Sequence, residues 1–329
     1  MDGRAAGTAW PRTSMSDAPV PDVPVPNVPV PEMPVRNMPV PVMPVRLDVR
    51  KTYKLFIGGA FPRSESGRSY PVHGSDGDLL AYAAKASRKD LRDAVVAARG
   101  AFAGWSGATA YNRGQVLYRV AEVMESRAAE FAAEVTRAEG LRPAQADAVV
   151  SAAIDRWVWY AGWSDKVAQV AGAANPVAGP YFNFSVPEPT GVVVTLAPAD
   201  SGLLGLVSVL APIIVTGNTA IVMASESRPL PAVVLAEVLA TSDVPAGVVN
   251  VLTGSTTELA MVAAEHMDVN AIDLTGAPQA DRAALERAAA GNLKRVLADR
   301  AGERWSDPPG TRRLLATLEI KTVWHPVGI

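Results

Sequence analysis

Residues 191–223 read GVVVTLAPADSGLLGLVSVLAPIIVTGNTAIVM, and this stretch decides the fold. Val192–Leu196 predicts a strand, and so does Ala220–Met223. Between them Leu203–Val215 is the most apolar run of the chain. Interrupted by Pro212 and too short to span a bilayer, it predicts a helix joining the two strands.

The same alternation continues downstream. Further strands are expected at Val248–Leu252, Ala271–Leu274 and Arg295–Leu297, with helices at Pro231–Thr241, Thr257–Glu265 and Gln279–Ala290. Strands alternating with helices imply an α/β fold with a parallel sheet and right-handed crossovers. Ligands on such sheets lie beyond the carboxyl ends of the strands. Ala197–Ser201, Ala224–Ser227, Thr253–Thr257 and Thr275–Gln279 are therefore expected around one crevice.

Upstream, Tyr53, Leu55 and Ile57 alternate before Gly58-Gly59 turns the chain. Three helical stretches are expected next. The first opens on a capping box of Ser87 and Asp90 and carries Leu91, Ala94, Val95, Ala98, Phe102 and Trp105 on one face. The second spans Asn112–Glu139 and the third Ala144–Gln169. Trp157, Trp159, Tyr160 and Trp163 read as helix packing. Gly179–Glu188 alternates like a hairpin arm. Downstream of the sheet, Asp307-Pro308-Pro309-Gly310 is a turn, and Leu318–Ile329 reads as a single strand with no local partner.

Residues 1–46 differ from the rest. Eleven of the 27 prolines fall in the first 50 residues, and a five-residue unit repeats from Pro19 (PVPDV, PVPNV, PVPEM, PVRNM, PVPVM). Proline removes amide donors and fixes φ, so polyproline II is the expected local state. Composition favours a solvated tail over a docking arm.

The chain has 329 residues, 49% hydrophobic, with a formal charge of −2. No basic field favours nucleic acid. The absence of cysteine excludes disulfides, thiolate metal sites and a cysteine nucleophile. His73, His266 and His325 lack metal-ligand spacing, so no metal is expected. Met1–Trp10 has no apolar core of a secretory signal, and a soluble cytoplasmic protein is expected.

Leu55–Gly59, Ala94–Trp105, Tyr160–Lys166, Pro187–Val193, Ala211–Thr219, Ser225–Glu226, Pro245–Gly254, Thr275–Gly276 and Asn292–Val296 together resemble the aldehyde dehydrogenase superfamily, in order and with its spacing. The resemblance implies a Rossmann-like NAD-binding domain over residues 47–300, with flanking helices, an N-terminal helical layer and an oligomerisation hairpin at about 179–190. It makes 318–329 the family's oligomerisation strand, and 301–317 a linker standing where the family has its catalytic domain. NAD(P) is the implied cofactor. Pro198, Glu226, Gly254, Thr275 and Gly276 are the positions carried over to hold it.

The departures from the family bear on both activity and cofactor. Its Pro-Trp-Asn appears as Pro198-Ala199-Asp200, placing an anion where an amide would help an oxyanion. Its Lys-Pro-Ser-Glu appears as Met223-Ala224-Ser225-Glu226, which loses a cation but keeps a ribose acceptor in Glu226. The serine of its Thr-Gly-Ser becomes Ala277, followed by Pro278, so a hydroxyl and an amide donor are lost. Its general-base glutamate falls on Asp299. Ser201 and Thr275 are conceivable nucleophiles but have no histidine near them in sequence. No catalytic residue is therefore assigned. The sequence favours an inactive partner or scaffold for a full-length aldehyde dehydrogenase subunit, or a homo-oligomer. The alternative is an NAD(P)-dependent oxidoreductase whose catalytic groups come from a partner.

Overall fold

A computed structural model describes residues 49–298 and 303–328. The proline-rich repeat and Asp299 lie outside them.

The chain opens with β1 (Thr52–Tyr53), β2 (Ser69–His73) and β3 (Leu79–Ala84), a small sheet in the order β1-β3-β2. The β2–β3 pair is not among the elements expected from sequence. It turns through Gly74–Asp78, where Gly77 takes a positive φ of 87°. The helical layer is α1 (Arg88–Gly107), α2 (Ala110–Ser126), α3 (Ala128–Glu139), α4 (Pro143–Ala161) and the short α5 (Val167–Ala171). The capping box at Ser87 forms as expected: its hydroxyl accepts from the amides of Lys89 and Asp90, and Asp90 accepts from the amide of Ser87. The expected second helix is two, broken at Arg127, whose φ of −112° and ψ of 15° leave the α region. The expected third helix ends at Ala161, before α5. Its aromatic stripe is packing: Trp157 and Tyr160 are buried, and Trp159 stacks edge-on against Tyr160 at 4.9 Å.

Two strands, β4 (Ala173–Asn175) and β5 (Tyr181–Pro189), precede the parallel sheet. That sheet is built from β6 (Val192–Leu196), α6 (Leu204–Val215), β7 (Thr219–Met223), α7 (Leu230–Ala240), β8 (Val249–Leu252), α8 (Thr256–Glu265), β9 (Ala271–Asp273), α9 (Gln279–Ala290) and β10 (Arg295–Leu297). All its strand pairs are parallel, in the order β10-β9-β6-β7-β8. The chain steps outward from β6 to β8, then returns to the other side of β6. The switch point therefore falls between β6 and β9. Helix α6 is buried along its whole length, between the sheet and α4, which explains why it is apolar on every side.

The chain closes with α10 (Arg312–Ala316) and β11 (Leu318–Pro326). The expected strand forms and has no local partner, but a distant one pairs with it. Strand β11 pairs antiparallel with β5 over its whole length, Leu318 opposite Pro189 and Pro326 opposite Tyr181. The partner lies more than a hundred residues upstream, beyond the reach of any local pattern. The resulting sheet runs β11-β5-β4, so β11 is an edge strand with one side paired. Asn218 joins this closure to the main sheet. Fully buried, it accepts from the amide of Gly191 (2.8 Å) and donates to the Thr317 carbonyl (2.9 Å).

Candidate functional site

Pro198 follows β6, and Thr275 and Gly276 follow β9, so the switch point brings these three together. With Ala199, Asp200, Ala277 and Pro278 they line a cavity of about 380 Å³. Gly276 makes the junction possible. A Cβ there would lie 2.0 Å from the Ala197 carbonyl oxygen, and its amide donates to the Leu196 carbonyl at 2.9 Å.

Glu226 lies beyond β7, in a separate concavity lined also by Tyr70, Val72, Ser75 and Arg228. The Tyr70 hydroxyl there is pushed well above its ordinary value, by burial first and then by the Glu226 carboxylate. Gly254 lies beyond β8 at a φ of 128°, and a Cβ would meet the backbone of Lys85 and Ala86 at 3.0–3.3 Å. Its bare backbone admits the β3–α1 connection, where Ala86 donates to the Thr253 carbonyl at 2.8 Å. Met223 is buried in the core.

The two hydroxyls considered as nucleophiles have structural partners. Ser201 Oγ accepts from the Gly205 amide at 2.9 Å. Thr275 Oγ1 donates to Asp273 Oδ1 at 2.5 Å and accepts from Arg313 Nη2 at 3.1 Å. Ser201 Oγ is taken up by the first turn of α6, and the Asp273 carboxylate that Thr275 faces is itself paired with Arg313 at 2.7 Å.

Four residues that shape this region are not singled out by the sequence: Arg156, Glu303, Trp305 and Arg313. The 303–316 segment folds back over the strand ends. Trp305 Nε1 donates to Asp200 Oδ1 at 3.2 Å, and both Glu303 and Trp305 line the cavity with Pro198 and Thr275. Arg313 Nη1 reaches Asp273 Oδ2 at 2.7 Å, and its Nη2 reaches Glu303 Oε2 at 3.0 Å. The Arg313 and Asp273 side chains are 7% and 1% exposed. Burial opposes the charge of Arg313, yet Asp273 and Glu303 outweigh it and raise its pKa. Arg156, from α4, donates to the carbonyls of Trp305 (2.8 Å) and Asp307 (2.9 Å) and holds the segment from the other side. Asp-Pro-Pro-Gly signals the turn, but no periodicity links Trp305 or Arg313 to strand ends as far as 105 residues away.

A five-stranded parallel sheet with loops gathered at a switch point defines the class of α/β folds that bind ligands at their strand ends. Residues 62–304 match the model of the aldehyde dehydrogenase family, and the chain belongs to that family. It is 33% identical over 264 residues to retinal dehydrogenase 2 of Gallus gallus, covering 79% of this chain and 50% of that protein. It is 31% identical to the cytosolic 10-formyltetrahydrofolate dehydrogenase of Mus musculus, covering 78% of this chain and 29% of that one. Among solved structures, an aldehyde dehydrogenase of Bacillus cereus in an NAD+ complex superposes with a TM-score of 0.72 at 27% identity, covering 75% of this chain and 50% of that one. The chain spans about half the length of the retinal dehydrogenases it matches.

Proposed function

We propose that this chain is a catalytically inactive aldehyde dehydrogenase that serves as a partner or scaffold subunit for a full-length member of the family. The observation that carries this reading is the strand-end cavity, part of whose wall is made by the chain's own Glu303 and Trp305. Aldehyde oxidation in this family needs a thiolate to add to the carbonyl, and the 329 residues contain none. The segment between β10 and β11, where the family's catalytic domain would lie, instead places a tryptophan on Asp200 and an arginine on Thr275.

The residues fit a bound NAD(P) poorly. Glu226 keeps an acceptor for ribose hydroxyls. Trp305 lines the same cavity as Pro198 and Thr275, however, and Asp200, Ala277 and Pro278 offer a pyrophosphate no cation and fewer donors.

Edge strand β11 supports the partner role. It presents Ile320, Val323 and Trp324 to solvent, 42–59% exposed, with Tyr181 and Phe182 exposed on neighbouring β5. An edge strand with an apolar surface is a template for another chain. Co-expression with a full-length aldehyde dehydrogenase, followed by native mass spectrometry, is expected to give mixed oligomers that Trp324→Glu weakens. Monomers or homo-oligomers alone, at every ratio, would sink the idea.

Glu226 favours a second reading, an NAD(P)-binding oxidoreductase completed by its partner. Calorimetry with NAD and with NADP separates the two. Heat from either supports the second, and no heat with no thermal shift leaves the first.

A further inference from the structure

A second cavity, of about 310 Å³, opens beneath the 303–316 segment and shares only Glu303 and Trp305 with the strand-end cavity. Its charged groups are unevenly matched. Four guanidiniums line it, those of Arg156, Arg304, Arg312 and Arg313, against the carboxylates of Glu303 and Asp307. Both carboxylates are engaged: Glu303 by Arg313 at 3.0 Å, and Asp307 by Arg304 at 3.1 Å. Arg313 also has Asp273 behind it.

Neither Arg156 nor Arg312 hydrogen-bonds to a carboxylate among the described residues. Arg156 is 8% exposed. Its acceptors are Ser208 Oγ at 2.9 Å and the carbonyls of Trp305 and Asp307, all neutral, and two of its N–H groups have no acceptor among the described residues. Burial is the leading influence on it and lowers its pKa, outweighing the opposing effects of Tyr160 and of the Glu303 carboxylate. Arg312 donates Nη2 to the Ala298 carbonyl at 2.5 Å, while its Nη1 is buried with no hydrogen-bond partner among the described residues. A buried cation and a buried, unpartnered guanidinium N–H on one cavity are features that a bound anion would satisfy together. The remaining walls include Tyr160, Trp305, Pro308 and Pro309, which suit an apolar body.

We propose that this cavity binds a small organic anion, whose carboxylate or phosphate group is held by Arg156 and Arg312 and whose apolar part lies against Tyr160 and the two prolines. The competing explanation is mechanical. Arg156 would only tie the 303–316 segment to α4, and its carbonyl partners would suffice. The two differ in what a ligand does. Site and ligand are independent of the cofactor reading, and of whether the chain associates with a larger enzyme.

The test uses the full chain, titrated by calorimetry and thermal melting with benzoate, phenyl phosphate and inorganic phosphate at fixed ionic strength. Saturable binding of benzoate or phenyl phosphate, with a rise in Tm, is expected, and the better of the two identifies the head group. Arg156→Met and Arg312→Met are each expected to weaken that binding at least tenfold. Lys321→Ala, on the exposed tail sheet, is expected to leave it unchanged. If Arg156→Met does not fold, Arg312→Met decides alone. No saturable binding of any probe overturns the proposal. So does binding that survives Arg312→Met, or a loss of Tm in Arg156→Met with affinity intact, which leaves only the mechanical latch.

Discussion

Strand β6 and the 303–316 segment meet at the carboxyl end of the sheet, yet different forces hold them. Every residue of β6 is buried, and its neighbours β7 and β9 continue its ladder through Val193, Val194 and Thr195. Burial of such side chains contributes about 1.5–3 kcal/mol each. The segment has few apolar anchors. It is held by Arg313 on Asp273 and Glu303, by Arg156 on two carbonyls, and by Trp305 on Asp200. A sheet held by burial tolerates exchange among apolar residues. A cover held by buried charge fails when one partner is removed, because the other remains desolvated.

That contrast is tested most strongly at Arg313. Arg313→Ala leaves Asp273 buried without its counter-ion and is expected to destabilise the chain by about 3–5 kcal/mol in urea unfolding. A cost near zero would mean that the cover is not integral to the fold. Next comes Asn218→Ala, which strands the Gly191 amide and removes one of the two donors to the Thr317 carbonyl, the other being the Thr190 amide. A loss of about 1–3 kcal/mol is expected, with faster hydrogen exchange at the β11 end. In the sheet itself, Ile221→Val is expected to cost about 0.5–1.5 kcal/mol, well below Arg313→Ala. The reverse order would break the comparison.

The smallest effect is a pH dependence at the seam between β10 and β11. Arg295 pairs with Glu319 at 2.7 Å through both of its bonding nitrogens. Its hydrogen bond holds the Glu319 carboxyl below its ordinary value of 4.5. A depressed carboxylate stabilises the fold above that ordinary value, and the contribution is lost as pH falls through the lowered one. Both side chains are more than a third exposed, so the loss is expected to stay below about 1 kcal/mol. It is read as the difference between the wild-type and Glu319→Gln stabilities from pH 6 down to about 3. An equal difference at all pH values would show that charge plays no part there.

What is legible in the sequence follows from the same physics. The strands Val192–Leu196 and Arg295–Leu297 and the helix Gln279–Ala290 keep in the structure the bounds read from sequence. Each is set by nearest-neighbour pattern and flanking turn residues. The Ser87 capping box is equally plain because its partners are three residues apart. The β2–β3 hairpin escapes notice because Gly74–Asp78 looks like loop on both sides of short strands. The pairing of β11 escapes it because its register partner is Tyr181–Pro189. Of the strand-end positions, Pro198, Thr275 and Gly276 can be grouped from sequence, since topology puts the ends of β6 and β9 side by side. Glu226 and Gly254 sit apart from them, beyond β7 and β8, and only the packed sheet separates the three places.

The sequence alone determined the α/β alternation, the family and the lack of a thiol nucleophile, because these depend on local periodicity, short motifs and residue identity. Tertiary structure alone decided that the terminal strand is paired, that Trp305 and Arg313 cover the strand ends, and that Arg156 and Arg312 face one cavity, neither of them hydrogen-bonded to a carboxylate among the described residues. Each of these is a contact between residues far apart in the chain. It depends on where the sheet and its crossovers bring them, and no local spacing encodes it.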